Sequence, residues 1–189
     1  ITDTLEQDPD VEWAQPDYLD RIALVPNDPS YASQWHYFDP VGGANLPNAW
    51  NRTTGSASIR IAVVDTGSLP NHPDLVGVFV GGYDTILESL TANDGDPPCG
   101  THPNAPCYNS RDADASDPGD WITSAEDIAG WFQGCGARNS SWHGTHVAGT
   151  IAALTNNGVG VAGVNWVSKV VPVRALGKCG GYSTDIADA

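Results

Sequence analysis

The sequence predicts an α/β protein built in three layers, with a parallel sheet flanked by helices. Two apolar runs rich in β-branched residues, IRIAVVD at 59–65 and KVVPVRAL at 169–176, are typical of buried strands. Between them, HGTHVAGTIAAL from His143 to Leu154 has apolar residues at helical spacing and small residues that permit close packing. The order strand, helix, strand, helix favours a parallel sheet.

The remaining elements are predicted in chain order. Residues 1–25 are acidic, and NLPNAWN at 45–51 predicts a short helix. Residues 84–141 are rich in Asp, Pro and Gly and predict a long loop, which inside a compact domain should be functional or pinned in place. A last helix is predicted to begin with Ser183 or Thr184 as its N-cap.

Composition limits the possible partners. The 189 residues include seven tryptophans and carry a formal net charge of −15, which fits a globular but strongly acidic protein. This charge argues against nucleic acid or an anionic membrane as a partner. No apolar run reaches membrane-spanning length. The acidic composition is typical of calcium-binding extracellular proteins, and equally of a plain acidic, soluble surface.

The four cysteines predict disulfides rather than a metal site. They show neither a Cys-x-x-Cys spacing nor a Cys/His zinc pattern. An even number of cysteines in loop-rich surroundings favours an oxidising compartment. Three pairings are possible, and the turn CGTHPNAPC, with two prolines inside it, favours Cys99–Cys107. That choice leaves Cys135–Cys179.

Three polar residues are candidates for chemistry. Asp65 ends the first predicted strand, and functional groups gather at the carboxyl ends of parallel strands. His143 and His146 lie at the start of the predicted helix, each a candidate metal ligand, structural residue or catalytic base. A carboxylate such as Asp65 can orient an imidazole and stabilise its protonated form. A zinc pair on a helix would need histidines four residues apart with a Glu after the first, and neither condition holds.

Two motifs around these residues resemble a known family. VVDTG, which contains Asp65, is followed 78 residues later by HGTHVAGT, which begins at His143. Together they resemble the catalytic motifs of the subtilisin-like serine peptidases, the subtilase family. Further matching segments are NHPDL at 71–75, TNNGVGVAGV at 155–164 and VVPVRAL at 170–176. The resemblance spans 26–189.

The resemblance implies a subtilisin-like fold and hydrolysis of protein or peptide substrates by an Asp-His-Ser triad. Asp65 would be the triad aspartate, and His143 the general base that deprotonates the serine. His146 would be a structural residue that packs or hydrogen-bonds locally. No catalytic metal is implied.

The nucleophile is missing from these residues. The family carries it in a Gly-Thr-Ser-Met-Ala motif, which does not occur here. Ser140, Ser141 and Ser183 lack the strand-to-helix setting that exposes a nucleophilic serine. We therefore expect an incomplete subtilisin-like fold, the N-terminal part of a longer endopeptidase and inactive alone. The alternative is a calcium-stabilised fragment that acts as a scaffold or binding module.

Residues 1–25 resemble the tail of a subtilase inhibitory propeptide. DPDVEWAQPDYLDR precedes PNDPSYASQW, and processing would fall near Leu24 or Val25. This divides the chain into a propeptide tail and the N-terminal part of a catalytic domain, 26–189. The resemblance implies a secreted, extracellular zymogen that its own propeptide inhibits and that is a monomer when complete. An ordinary N-terminal extension is the alternative for 1–25.

Calcium, in a structural role, is the one cofactor implied. The family's high-affinity site uses an N-terminal Asp, the Asp of HPDL and carbonyl oxygens of the loop after the histidine helix. The matching positions are Asp28, Asp74, Leu154, Asn157, Val159 and Val161. The segment RDADASDPGD is a second candidate, although it lacks the Gly and Glu of an EF-hand and could be a solvated turn. Its acids are Asp112, Asp114, Asp117 and Asp120.

Overall fold

The structure is a computed structural model that describes residue 4 and residues 7–14, 24–93 and 111–189. The predicted disulfide Cys99–Cys107 and most of the predicted propeptide tail lie outside the described residues. The two strands, the histidine helix and the loops around the candidate site all lie within them.

Three parallel strands form the sheet that positions the site. They are β1 (Arg60–Asp65), β2 (Tyr83–Asp84) and β3 (Lys169–Arg174), in the order β1-β3-β2. β1 and β3 confirm the two predicted strands. Asp65 and Asp84 both pair in register with Arg174. The carboxyl ends of the three strands therefore meet at one edge of the sheet.

Five α-helices lie in the described part of the chain. They are α1 (Leu46–Trp50), α2 (Ser89–Ala92), α3 (Ser124–Ile128), α4 (His143–Ala152) and α5 (Ser183–Asp188). α4 confirms the predicted histidine helix, although it ends at Ala152 because Ala153 has ψ of 145°. None of the described helices has the length and apolar character needed to cross a bilayer.

The predicted N-cap of the last helix is wrong. α5 already includes Ser183 as its first residue, and the cap is Tyr182, whose φ of −77° and ψ of 145° are extended. The side chain of Tyr182 makes no capping hydrogen bond. The helix therefore begins one residue earlier than it would if Ser183 were its cap.

Helix α4 packs on β1 and β3 through its small residues. Ala148 and Ala152 are buried, and they let the helix approach the sheet closely. The buried cluster consists of Val63, Leu75, Val78, Ala148, Ala152 and Val170. Each fully buried valine or leucine of this kind contributes roughly 1.5–3 kcal/mol. The packing fixes α4, and with it His143, relative to the end of β1.

A second, aromatic cluster holds the segment before β1 against α4 and the loop that follows it. Tyr31, Tyr37 and Trp50 are buried together with Ala162. The hydroxyl of Tyr37 donates to the carbonyl oxygen of Thr150 in α4 at 2.9 Å. This contact connects the N-terminal segment directly to the histidine helix.

The described parts of 84–141 are pinned to the sheet, as their length leads one to expect. Asp84 and Arg174 are essentially fully buried and form an ion pair at 2.6 Å between β2 and β3. Cys135 and Cys179 form a disulfide, with their Cα atoms 5.6 Å apart. The segment is thus tied both to the sheet and to the loop that follows β3.

Candidate active site

Asp65 lies at the carboxyl end of β1 with its carboxylate buried. Val63 and Asp65 share the buried face of the strand, while Val64 between them is exposed. The backbone N–H of Thr66 donates to Asp65 Oδ1 at 2.7 Å. This bond holds one oxygen of the carboxylate at the turn where the chain leaves the sheet.

His143 begins α4 and faces this carboxylate. Its Nδ1 lies 2.8 Å from both Oδ1 and Oδ2 of Asp65. In the neutral imidazole, a ring nitrogen that faces two carboxylate oxygens is the one that carries the proton, which leaves Nε2 with a free lone pair. The His143 side chain is 63% exposed, against 10% for Asp65. The pair therefore joins a buried anchor to an imidazole that solvent or a substrate can reach.

The start of α4 is fixed to the turn after β1 by a short chain of hydrogen bonds. Thr66 Oγ1 accepts from the backbone N–H of Gly144 at 3.0 Å and donates to Asp117 Oδ2 at 2.8 Å. Thr66 and Asp117 are both buried. Asp117 therefore supports the position of His143 indirectly, a role that its place in an acidic repeat did not indicate.

Burial dominates the electrostatics of Asp117. Desolvation raises the pKa of this carboxyl, and the hydrogen bonds from Thr66 and from the Gly119 amide oppose the increase. If one of these bonds were lost, one oxygen of the buried carboxylate would have no hydrogen-bond partner, which is unfavourable by about 1–3 kcal/mol.

His146 lies one turn further along α4 and is exposed. Its ring makes no hydrogen bond within the described ranges, so the local bonding expected of it is not seen there. Together with His36 and His72 it borders a cavity of about 580 Å³ beside α4. These histidines do not converge: the described residues contain no group of three His, Cys, Asp or Glu side chains placed to hold a metal ion.

The four acids of the second calcium candidate do not gather around one point. Asp112 Oδ1 accepts from the Asp114 amide at 2.6 Å, and Asp114 Oδ1 accepts from the Ser116 amide at 3.0 Å. Asp117 turns towards Thr66, and Asp120 Oδ1 accepts from Ser141 N at 2.5 Å. Each carboxylate shapes a local turn or anchors a neighbour, so the geometry fits the alternative of turns rather than a cage.

The residues of the first calcium candidate, in contrast, are brought together. Asp28 and Asp74 are buried, and the loop 154–161 wraps around both. Asn157 connects them: its backbone N–H lies 3.3 Å from Asp28 Oδ1, and its Nδ2 donates to Asp74 Oδ1 at 2.8 Å. Leu154 and Val161 donate backbone N–H groups to the carbonyl and carboxylate of Asp74. Val159 donates to Asn157 Oδ1 at 2.8 Å.

None of the candidate serines is placed as a nucleophile. Ser141 Oγ lies 3.3 Å from the backbone nitrogen of His143, and within the described residues the imidazole itself hydrogen-bonds to Asp65 alone. A buried carboxylate that orients an exposed imidazole, at the carboxyl edge of a parallel sheet, is the arrangement of the acid–base half of a serine hydrolase triad.

Comparison with known proteins agrees with this class. Residues 56–189 match the Subtilase family. The chain therefore belongs to the subtilase family, which confirms the resemblance of the VVDTG and HGTHVAGT motifs.

Two relatives align with all or nearly all of this chain. The extracellular basic protease of Dichelobacter nodosus is 45% identical over 189 residues, which are 100% of this chain and 29% of that protein. The extracellular protease of Xanthomonas campestris pv. campestris is 45% identical over 185 residues, 98% of this chain and 29% of that protein. The chain spans less than a third of the length of both relatives.

A solved structure confirms the subtilisin-like fold. A protease from Pseudoalteromonas arctica superposes with a TM-score of 0.72 and 50% identity, covering 87% of this chain and 43% of that chain.

Proposed function

We propose that this chain is the N-terminal part of the catalytic domain of a secreted serine endopeptidase that cleaves peptide bonds in proteins or peptides. The observation that carries the proposal is the Asp65–His143 pair, with Nδ1 at 2.8 Å from the carboxylate and the ring exposed. Membership of the subtilase family and the names of the two extracellular relatives support it.

In the proposed mechanism His143 moves one proton in two steps. Nε2 accepts the proton of a serine hydroxyl as the serine oxygen attacks the carbonyl carbon of the scissile bond. The imidazolium then gives that proton to the leaving amine, and water repeats the sequence to release the acid product. Asp65 holds the ring and stabilises the imidazolium between the steps. The serine belongs to a part of the protein outside these 189 residues.

The matched pair His143→Ala and His146→Ala tests the proposed role in the complete protein. We expect His143→Ala to lower peptide turnover by about a million-fold, a magnitude carried over from subtilisin, because no other base among the described residues hydrogen-bonds to Asp65. His146→Ala should retain turnover within about tenfold, since in the described part of the chain its ring makes no hydrogen bond to Asp65 or His143. Steady-state hydrolysis of a chromogenic peptide measures both. Equal, near-total losses in two folded variants would contradict the assignment.

The residues of the first calcium candidate fit a cation. Two buried carboxylates lie on either side of Asn157, and each of their oxygens accepts from an N–H of the loop. Within the described residues neither carboxylate has a cationic side chain within 4.0 Å, so a bound cation would compensate their charge. Asp28, Asp74 and Asn157 would hold the ion with loop oxygens of 154–161. Bound calcium would tie the N-terminal segment to the loop after α4, with no part in the chemistry.

Chelation tests this site through stability. We expect the melting temperature to fall when EDTA replaces excess calcium, because a ligand at a hundred times its Kd stabilises the folded state by about 2.7 kcal/mol. Asp74→Asn should lose that response, whereas Asp39→Asn should keep it. Asp39 is half-buried and has no hydrogen bond to the loop among the described residues, and asparagine retains the oxygen that accepts from the Val41 and Gly42 amides. If the melting temperature of the wild-type protein does not change when EDTA replaces calcium, the proposal is wrong.

Secretion and processing complete the proposed function. The Cys135–Cys179 disulfide fits an oxidising compartment. We assign 1–25 to the tail of an inhibitory propeptide, with 26–189 as the start of the mature, monomeric enzyme. Leu24 and Val25 are 42% and 66% exposed, so a processing protease can reach the chain at the end of this tail.

A further inference from the structure

A groove lies between the segments that follow β2 and β3. It has a volume of about 290 Å³ and is lined by Leu87, Glu88, Trp131, Tyr182, Thr184 and Asp185; we call it the Glu88 groove. A neighbouring cavity of about 160 Å³ shares Trp131 and Tyr182 with it. Because both flanking segments leave the carboxyl ends of parallel strands, the groove opens on the same edge of the sheet as Asp65.

Glu88 is a buried carboxylate with one oxygen unused. The residue is 3% exposed, and its Oε2 accepts from the Thr91 amide at 2.8 Å. Its Oε1 is buried and has no hydrogen-bond partner among the described residues. Burial raises the pKa of Glu88; the Thr91 amide opposes the increase and the nearby Asp185 adds to it. A carboxylate oxygen left without a donor is unfavourable, and a bound donor would relieve this.

Two aromatic side chains stand at the groove without a ring partner. Trp131 and Tyr182 are each 49% exposed and border both cavities. Neither stacks on another ring within the described ranges. Exposed aromatic faces next to a carboxylate attract a cation, and the attraction is stronger when the cation is desolvated.

The surrounding charges leave Glu88 uncompensated. Asp185 pairs with Arg111 at 2.8 Å, and Arg111 also pairs with Asp188 at 2.7 Å, so this cation is already shared between two acids. Lys178, which lines the neighbouring cavity, pairs with Glu126 at 2.8 Å and lies over the ring of Trp121. The groove thus carries negative charge for which the described residues supply no free cation.

We propose that the Glu88 groove binds the side chain of a lysine or arginine in a peptide. The ammonium or guanidinium group donates to Glu88 Oε1, and the aliphatic stem lies between Trp131 and Tyr182. β3 separates β1 from β2, so the end of β1 at Asp65 and the end of β2, which leads to Glu88, are two strand spacings apart, about 10 Å. If that peptide is the substrate, which rests on the proposed function, the basic residue lies a few positions from the bond that is cleaved.

Peptide binding tests the proposal without requiring turnover. The protein carrying His143→Ala is titrated into fluorescein-labelled acetyl-Ala-Ala-Xaa-Ala-Ala peptides with Xaa as lysine, arginine or norleucine, and anisotropy gives Kd. We expect the lysine and arginine peptides to bind at least tenfold more tightly than the norleucine peptide, because a hydrogen bond to a charged group is worth about 1.5–3 kcal/mol. Glu88→Gln, which keeps the shape and the acceptor for Thr91, should abolish this preference. Asp39→Asn, at a half-buried acid that does not line the groove and whose Oδ1 accepts from the Val41 and Gly42 amides, should not change it.

The outcomes separate this inference from the proposed function. Three results would contradict the proposal that the groove binds a basic side chain. They are equal binding of the three peptides, no binding of any of them, or an equal loss of the preference in Glu88→Gln and Asp39→Asn. The same series assayed for hydrolysis with His143 intact reports on the peptidase activity alone. Glu88→Gln should leave the melting temperature unchanged or raise it, and a lower value would mean that Glu88 serves the fold instead of a ligand.

Discussion

Gly144 is the residue on which the position of His143 depends most directly. A Cβ added there would collide with the carbonyl oxygen of Gly67 and lie 3.1 Å from Cβ of Asp65. Both neighbours belong to β1 or the turn after it, and neither is the free end of a flexible side chain. Only glycine lets the first turn of α4 come this close to the strand that carries Asp65.

Two substitutions in the same helix test this contact. We expect Gly144→Ala to lower the free energy of unfolding by about 1–3 kcal/mol, because the backbone must move, and to reduce turnover roughly a hundredfold in the complete enzyme. Gly149→Ala is the matched control: its Cβ would meet nothing within 4 Å, so alanine should stabilise the helix by about 0.5–1 kcal/mol. Urea denaturation measures both. A stabilising Gly144→Ala would contradict the close approach.

Residue identities predicted some parts of the site and not others. Asp65 and His143 stand out because a strand end and a helix start carry them. Asp117 does not: its partner Thr66 is 51 residues away, and the acidic repeat around it favoured a metal loop. A buried hydrogen bond between distant residues leaves no periodic pattern in the sequence, so only the structure could show it.

At the scale of elements, the sheet and α4 were predictable because each has a long apolar pattern. β2 was not, since its two residues, Tyr83–Asp84, are too few to show alternation and gain strand geometry only by pairing with β3. α3 was missed although the sequence carried a signal. Thr123 and Glu126 form a capping box, in which each side chain bonds to the backbone N–H of the other.

The capping glutamate gives α3 a measurable dependence on pH. The side chain of Lys178, with the Thr123 amide and hydroxyl, lowers the pKa of Glu126 to about 2 from an ordinary value of 4.5. A carboxyl whose pKa is lower in the folded state contributes stability that is present above about pH 4.5 and lost as the pH falls towards 2.

We therefore expect Glu126→Gln to be less stable than wild type at pH 6, with the difference shrinking between pH 4.5 and 2. Melting temperatures of the two proteins across this range give the difference. In the unprocessed protein, Glu12→Gln, at an exposed acid outside the capping box of α3, should show no comparable convergence. A difference that stays constant down to pH 2 would mean that the ion pair with Lys178 contributes nothing.

At the scale of the whole molecule, one disulfide links distant parts of the chain. Cys135 and Cys179 are 44 positions apart in the sequence, and the loop between them contains α4 and β3. The chain-entropy model gives a stabilisation of about 4 kcal/mol for a loop of this length. The bond also holds the segment carrying Trp131 against the loop after β3.

Replacing both cysteines by serine should therefore lower the free energy of unfolding by about 2–4 kcal/mol in urea denaturation. Dithiothreitol added to the double variant then reports only on Cys99 and Cys107. Non-reducing peptide mapping checks the pairing itself, and recovery of a peptide linking Cys99 to Cys135 would contradict it.

The central place of β3 has a consequence for synthesis on the ribosome. Among the described strands, β1 and β2 each pair only with β3, yet β3 is made after both: 109 residues (174 − 65) separate the end of β1 from the end of β3. At about 5–20 residues per second, β1 waits roughly 5–20 s for its partner. During that interval β1 is an unpaired apolar strand on a nascent chain. The acidic segments made in between, 84–141 above all, keep the waiting chain charged and oppose its association with other copies.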